Sequence, residues 1–449
     1  MRPFILAILA FSFAVHAASA QDLSIWKDPE YQRRFNEGLI AESDVEPSLS
    51  EDDVEAMQEI LGLMGEERID DAITRLGELI GPEQNAVFDY TLGHLLFQKD
   101  RLDQAVIAFR SAVDKYPKYR RAWNYLGEAL VKKQDWSGAI PALTRVLEFG
   151  GGRGTTYGLL GFAHEQVGNY ISAESAYRMA VLLDPGYGDW QIGLARTFNR
   201  QERWPELASF CESLLRVNPE SETLYLLQAK AFIGLDRPRD AAENFEMLEA
   251  LGKSTVVTLN SLGLIYVNDG LFDLGVRAYL RAIEMDPAAG IDKPMEAARN
   301  MVLNNGLMET EMLLDGINGI YGAELPDEMK REMLKLRSRI AVARGGGEEE
   351  AKVLEEVVAL DPLDGEAIIL LGHYYRRNGD DVKANNWFER AERIDGFLAE
   401  ALKGRAQVLV GQGRYAEAEP LLRQVMDIAP SEGVRTYLEQ VQAGARARS

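Results

Sequence analysis

A pattern that returns every 34 residues restricts this chain more than any other feature of its sequence. Counted from Ala86, the register restarts at 120, 154, 188, 222 and 256, giving six copies without a slip. The eighth place of each copy reads Gly93, Gly127, Gly161, Ala195, Ala229 and Gly263, and the twentieth reads Ala105, Ala139, Ala173, Leu207, Ala241 and Gly275. Two antiparallel helices joined by a tight turn approach closely only where side chains are small, so these two places mark a crossing. Four places after the twentieth stand Phe109, Leu143, Tyr177, Cys211, Phe245 and Tyr279, bulky except for the cysteine, and suited to filling the gap between neighbouring copies. Pro117, Pro185, Pro219 and Pro287 occupy the thirty-second place and stop the second helix, because proline has no N–H and clashes with the preceding turn; Gly151 and Lys253 depart from that stop. Polar triplets at Lys99–Arg101, Gln134–Trp136 and Gly168–Tyr170 mark the reversal inside each copy.

This small, large, small, proline pattern resembles the tetratricopeptide repeat family. It is clearest in Trp123, Leu126, Gly127, Leu130 and Ala139, and again in Leu262, Gly263, Tyr266, Tyr279, Ala282 and Pro287. The resemblance, of an exported bacterial type, implies an all-α fold: a right-handed α-solenoid of helix-turn-helix repeats with a concave groove lined by the first helices. Looser copies extend the array to about ten to eleven repeats. Residues 53–85 fit through Leu63, Ala72, Leu76 and Leu79, which puts a first block at 53–289. A second block at 331–432 fits through Leu334, Leu354, Val357 and Pro362, then Leu371, Gly372, Tyr375, Ala384 and Phe388, then Ala406, Leu409, Ala418, Leu422 and Pro430. Between them, 290–330 reads as a degenerate repeat and irregular connection, with an insertion at Gly290, six further residues at 325–330, and Pro294, Asn304–Gly306 and Pro326 crowded together. An irregular rigid repeat and a mobile joint are both open there. Residues 433–449 read as a capping helix and tail, with Val434, Tyr437, Leu438 and Val441 on one side.

The first twenty residues have Arg2, an apolar run from Phe4 to Ala18, and Ala18-Ser19-Ala20 as a small-residue cleavage site, so 1–20 is expected to be a signal peptide. Periplasmic localisation is the first expectation and secretion the second. Residues 21–52 form an N-terminal extension, with Asp28–Pro29 as a helix start and Tyr31, Phe35 and Leu39 following before an acidic stretch through Glu46 and Pro47. It either docks on the first repeat or offers Trp26 and Phe35 to a partner. The formal charge of −22 argues against nucleic acid and anionic lipid over most of the surface. No direct membrane insertion is expected once the signal is removed.

Chemistry is sparse. Cys211 is the only cysteine, and the four histidines lack the spacing of a helical zinc site, so no metal and no cofactor is expected. Gly150–Gly154 has neither the Gly-Lys-Ser/Thr ending nor the preceding strand of a phosphate loop, and reads as a turn, as does Gly345–Gly347. Cys211 reads as a buried, inert thiol. With no nucleophile and base in a catalytic pattern, the chain is expected not to be an enzyme.

By the family's geometry, the second, fifth, ninth, twelfth and thirteenth places face the groove. In the first stretch they include Tyr90, His94, Phe97, Arg121, Asn124 and Lys132, and in the next Phe162, Arg196, Asn199, Arg200, Lys230, Asn260 and Asn268. Amides, cations and aromatic faces on one wall suit an extended peptide, with arginine holding a carboxylate. Glu128, Glu165 and Asp189 occupy equivalent places and would weaken that field. The family's carboxylate clamp for chaperone C-termini is not matched, because the corresponding places read Val87, Tyr90, Arg121 and Asn124. A scaffold or adaptor for protein or peptide partners in the cell envelope, within an assembly, export or energy-transducing complex, is the leading expectation. The alternatives are an accessory subunit that presents substrate to an envelope glycan hydrolase or peptidase, and a carbohydrate-binding solenoid that stacks sugars on Tyr90, Phe97 and Phe162. Reversing Arg196 and Arg200 to glutamate is expected to weaken capture with little effect on stability.

Overall fold

The computed structural model describes residues 45–344 and 347–448, which comprise 23 α-helices, two short 3-10 turns and no β-strand. The expected signal peptide, the extension up to residue 44, including Trp26 and the helix start at Asp28–Pro29, and the glycines at 345 and 346 lie outside the described residues. No helix among the described residues is long and apolar enough to cross a membrane. The chain divides into two compact units at Arg237 and Pro238, in the turn of the repeat that begins at 222.

The first unit opens with α1 (Glu51–Gly65) and α2 (Ile69–Leu79). It continues as hairpins of α3 (Ala86–Gln98) with α4 (Leu102–Lys115), α5 (Arg120–Lys132) with α6 (Trp136–Glu148), α7 (Gly154–Gln166) with α8 (Tyr170–Leu183), and α9 (Gly188–Arg200) with α10 (Trp204–Leu215), and closes with α11 (Glu222–Gly234). Local chemistry starts these helices. Ser50 and Asp53 form a reciprocal capping box on α1, while Asn85, Asp135 and Asn169 cap α3, α6 and α8 through their side chains. Each hairpin turn uses one device: Asp100, Gln134, Gly168, Glu202 and Asp236 take left-handed backbone. The next N–H returns to a carbonyl five residues earlier, as in Arg101 to Leu96 at 2.8 Å and Asp135 to Leu130 at 2.9 Å. Helices α4 and α8 end two residues before Pro117 and Pro185.

Packing follows the small and large places. Phe109 lies on Gly93, Leu143 on Gly127 and Tyr177 on Gly161, so close that a Cβ at those glycines would come within 2.7, 2.5 and 2.9 Å. Tyr177 is also covered from its other side by Gly193 of the next hairpin. Cys211 is wholly buried in one apolar cluster with Trp190 and Trp204, and these indoles fill the space left open by Gly158 and Gly234.

The second unit contains α12 (Pro238–Ala250), α13 (Val256–Asn268), α14 (Phe272–Met285), α15 (Asp292–Leu303), α16 (Leu307–Tyr321), α17 (Asp327–Ala343), α18 (Glu348–Leu360), α19 (Gly365–Arg377), α20 (Asp381–Ala391), α21 (Leu398–Gly411), α22 (Tyr415–Ile428) and α23 (Glu432–Arg448). Over 290–330 the extra residue Gly290 takes left-handed backbone after a 3-10 turn at Pro287–Ala289. From there α15 and α16 form a hairpin whose Met295, Ala298, Met301, Leu313, Leu314 and Ile317 share one buried cluster with Tyr279 of α14 and Leu336 of α17. At the far end, Val434 of α23 packs with Leu402 and Val425, and Val441 packs with Leu422.

Candidate functional site

The groove residues named from the sequence fall into three physical classes, decided by what packs over them. Helix α3 is buried on nearly every side, so Tyr90 and His94 are each only 2% exposed. Tyr90 packs at a tilt against Phe109 and Tyr119 and edge-on to Tyr125. His94 meets Tyr125 edge-on at 4.7 Å and shares a hydrogen bond with the Gln98 amide at 3.1 Å. Burial, with the nearby Arg121 charge, pushes His94 down to about 4, so its imidazole is neutral near pH 7. Phe97 and Phe162 are half-buried, the first beneath the Lys132 ammonium and the second edge-on to Trp136.

A second class is already paired within the chain. Arg121 donates to Glu46 at 3.0 Å, a carboxylate from the segment that precedes α1. Lys132 meets Asp100 at 2.7 Å, and the Asn124 amide donates to Glu128 at 2.6 Å. Arg196 grips Glu165 through two parallel bonds of 2.8 and 2.9 Å, and the same carboxylate accepts from the Tyr177 hydroxyl at 2.9 Å. Burial disfavours the Arg196 charge, but the hydrogen bonds and charge of Glu165 outweigh it and raise its pKa. Arg196 is therefore not an ordinary surface position: Arg196→Glu would set two carboxylates face to face in a half-buried place, and its effect on stability is expected to be large.

The third class is open. Arg200 is exposed at the end of α9, and Lys230 of α11 is half-buried. Burial first, and then the Arg200 charge, lower the Lys230 pKa, with Glu202 acting the other way. Neither cation forms an ion pair among the described residues. Beside Arg200 in sequence, the Asn199 carbonyl oxygen is buried without a hydrogen-bond donor among the described residues. In the second unit, the Asn260 carbonyl oxygen is likewise buried and unmatched, and Asn268 is exposed.

The other candidates for chemistry resolve simply. Burial pushes the Cys211 thiol up to about 12, which makes it a poor nucleophile. His373 sits against the Phe388 ring and is pushed down to about 4 by burial and by Arg376, Arg377 and Lys403. No group of three or more His, Cys, Asp or Glu side chains that could hold a metal occurs among the described residues. Two polar contributors escaped the sequence reading: Glu46, as the partner of Arg121, and Tyr119, wholly buried beside it. The acidic stretch around Glu46 was visible in the sequence, but nothing local ties it to a residue 75 positions away.

Models of the tetratricopeptide repeat match residues 90–153, 257–288 and 398–429. Those segments are similar to tetratricopeptide repeats. The chain is 20% identical over 286 residues to the TPR repeat-containing protein YpiA of Bacillus subtilis (strain 168), a match over 63% of this chain and 66% of YpiA, just under two thirds of that relative's length. Among solved structures, YrrB, described as a TPR protein with an unusual peptide-binding site, is 15% identical and matches over 39% of this chain and 91% of its own, with a TM-score of 0.38. Yeast Tom70 is 17% identical and matches over 89% and 98%, with a TM-score of 0.33. Tetratricopeptide-repeat proteins are generally protein-interaction scaffolds.

Proposed function

We propose that the chain is a non-enzymatic scaffold or adaptor of the cell envelope that holds an extended, carboxylate-bearing segment of a protein partner against the first helices of its first unit. The observation that carries this reading is the pair of Arg200 and Lys230. In a chain of formal charge −22, two neighbouring cations on successive first helices form no ion pair among the described residues; the Glu202 charge reaches Lys230 but acts less on it than Arg200 does, and Asn199, beside Arg200 in sequence, has an unmatched amide oxygen. Like charges held side by side destabilise one another, and an incoming carboxylate relieves that repulsion while accepting charge-assisted hydrogen bonds. Envelope placement rests on the export pattern of residues 1–20. Sugar stacking is less well supported, because Tyr90 lies in the core rather than on an open face.

The test is capture of acidic peptides and of crosslinked partners by Arg200→Glu with Lys230→Glu. Capture is expected to fall at least about tenfold, since hydrogen bonds to charged groups contribute about 1.5–3 kcal/mol. Thermal unfolding should change little, because neither side chain is tied into the core. Undiminished capture would remove the reading. Fractionation of cells and N-terminal sequencing of the mature protein test the location, with cleavage before Gln21 expected.

A further inference from the structure

The start of α5 holds a site that the chain fills with itself. Residues 45–49 are non-helical and run past the first turns of α5 and α3. The Arg120 N–H donates to the Val45 carbonyl at 3.1 Å, and the Asn85 side-chain amide donates to the Ser48 carbonyl at 2.9 Å. Between these two backbone bonds the Glu46 carboxylate, only 8% exposed, accepts from Arg121 at 3.0 Å and lies 3.8 Å from the Arg120 guanidinium. Pro47 is buried, and Leu49 packs against the apolar cluster of the first repeats.

Each of these contacts reads one property of the occupant. Two donors aimed at carbonyls three residues apart demand an extended backbone. Two guanidiniums demand a carboxylate between them. Burial of the next residue favours proline, which has no N–H to leave without an acceptor. The Tyr119 hydroxyl, wholly buried at the same place, has no hydrogen-bond partner among the described residues, so the cleft offers a polar group that the present occupant leaves unused. Arg121 stands at the second place of its repeat, on the face that the proposed function assigns to partners.

We propose that this cleft is a binding site for an extended Glu-Pro segment of a partner protein, and that residues 45–49 are its occupant in cis, which the partner displaces. The proposal rests on the reading of the first helices as a peptide-binding face. A tethered occupant competes at high effective concentration, so an external segment succeeds when it adds contacts, among them one to Tyr119, or when the tether is weakened.

The test uses the full chain and a dye-labelled peptide with the sequence of residues 45–50. Glu46→Gln with Pro47→Gly opens the cleft, and the peptide is expected to bind this variant at least about tenfold more tightly than it binds the unaltered chain. Arg121→Gln added to the opened chain should lower affinity about tenfold, as should a peptide whose glutamate is replaced by glutamine. Glu46→Gln alone perturbs the strap less and must give the same order of affinities, while circular dichroism verifies that each variant is folded. Equal binding by opened and unaltered chains, or indifference to Arg121→Gln, would overturn the proposal. Arg200 and Lys230 are untouched in every variant: peptide binding that ignores the strap while capture still depends on Arg200 and Lys230 would refute the cleft alone, and capture undiminished by Arg200→Glu with Lys230→Glu while the opened cleft binds would refute the proposed function alone.

Discussion

Tyr177 is 1% exposed and lies between two glycines, Gly161 of α7 on one side and Gly193 of α9 on the other. A methyl group at Gly193 would lie 2.5 Å from Cζ and 2.6 Å from Cε1 of that ring, far inside the roughly 3.5–4 Å at which carbon atoms rest. The ring has nowhere to retreat, because a Cβ on Gly161 would already meet its opposite side at 2.9 Å and its hydroxyl is bonded to Glu165. Gly193→Ala therefore forces α7 and α9 apart, an overpacking cost of about 1–3 kcal/mol, against a gain of about 1 kcal/mol from placing alanine in a helix interior. The net expectation is a loss of up to about 2 kcal/mol. Gly62 of α1 supplies the control: it is exposed with nothing within 4 Å of its Cβ position, so Gly62→Ala should gain about 1 kcal/mol. Urea unfolding followed by far-UV circular dichroism measures both, and hydrogen exchange across α7–α9 locates the loss, since repeat arrays open locally. Combining Gly193→Ala with Tyr177→Leu should recover part of the loss, seen as a coupling energy in the double-mutant cycle. A Gly193→Ala chain that gains stability as Gly62→Ala does, or a cycle without coupling, would refute the account of this packing.

The remaining expectations concern single groups. Unfolded His94 takes a proton near 6.5 and folded His94 only near 4, so stability is full above about 6.5 and falls, by up to about 3 kcal/mol, as pH drops towards 4. His94→Gln should flatten that part of the stability profile measured by urea unfolding. Glu350 is wholly buried and holds Arg377 at 2.5 Å; Arg377→Ala leaves its carboxylate unbalanced and should cost about 1–3 kcal/mol, the half-exposed arginine keeping the figure below that of a fully buried pair. Glu350→Gln in the same background should restore part of it. Gln134 takes left-handed backbone in an exposed turn, so Gln134→Gly should stabilise by about 0.5–1 kcal/mol in thermal unfolding, whereas Gly168→Ala at the same turn of the next repeat should lose about as much.

The repeat, the crossing glycines, the plugging aromatics and the turns could be read from the chain because each depends on residues close in sequence. Gly161 and Tyr177 announce their contact by size and spacing alone, and the polar triplets announce the reversal. The candidate site was legible only as a set of places. Arg121, Arg196, Arg200 and Lys230 all fall at groove-facing places of the 34-residue register, yet the first two are held by Glu46 and Glu165, which lie 75 and 31 residues away. His94 counted as a groove residue by its place, and it is buried, with Tyr125 of the following repeat and Gln98 packed against it.

What the sequence determined by itself is the local grammar: helices of about thirteen residues, a turn with one left-handed residue, and an apolar face that no single hairpin can bury. These properties depend on backbone preference and side-chain volume, which act over one or two helical turns. Which cations are neutralised, which amides lack partners and what fills the cleft at α5 were decided only in the tertiary structure. A charge is screened or satisfied by whatever the fold carries to within a few ångströms of it, and that neighbour can come from any distance along the chain.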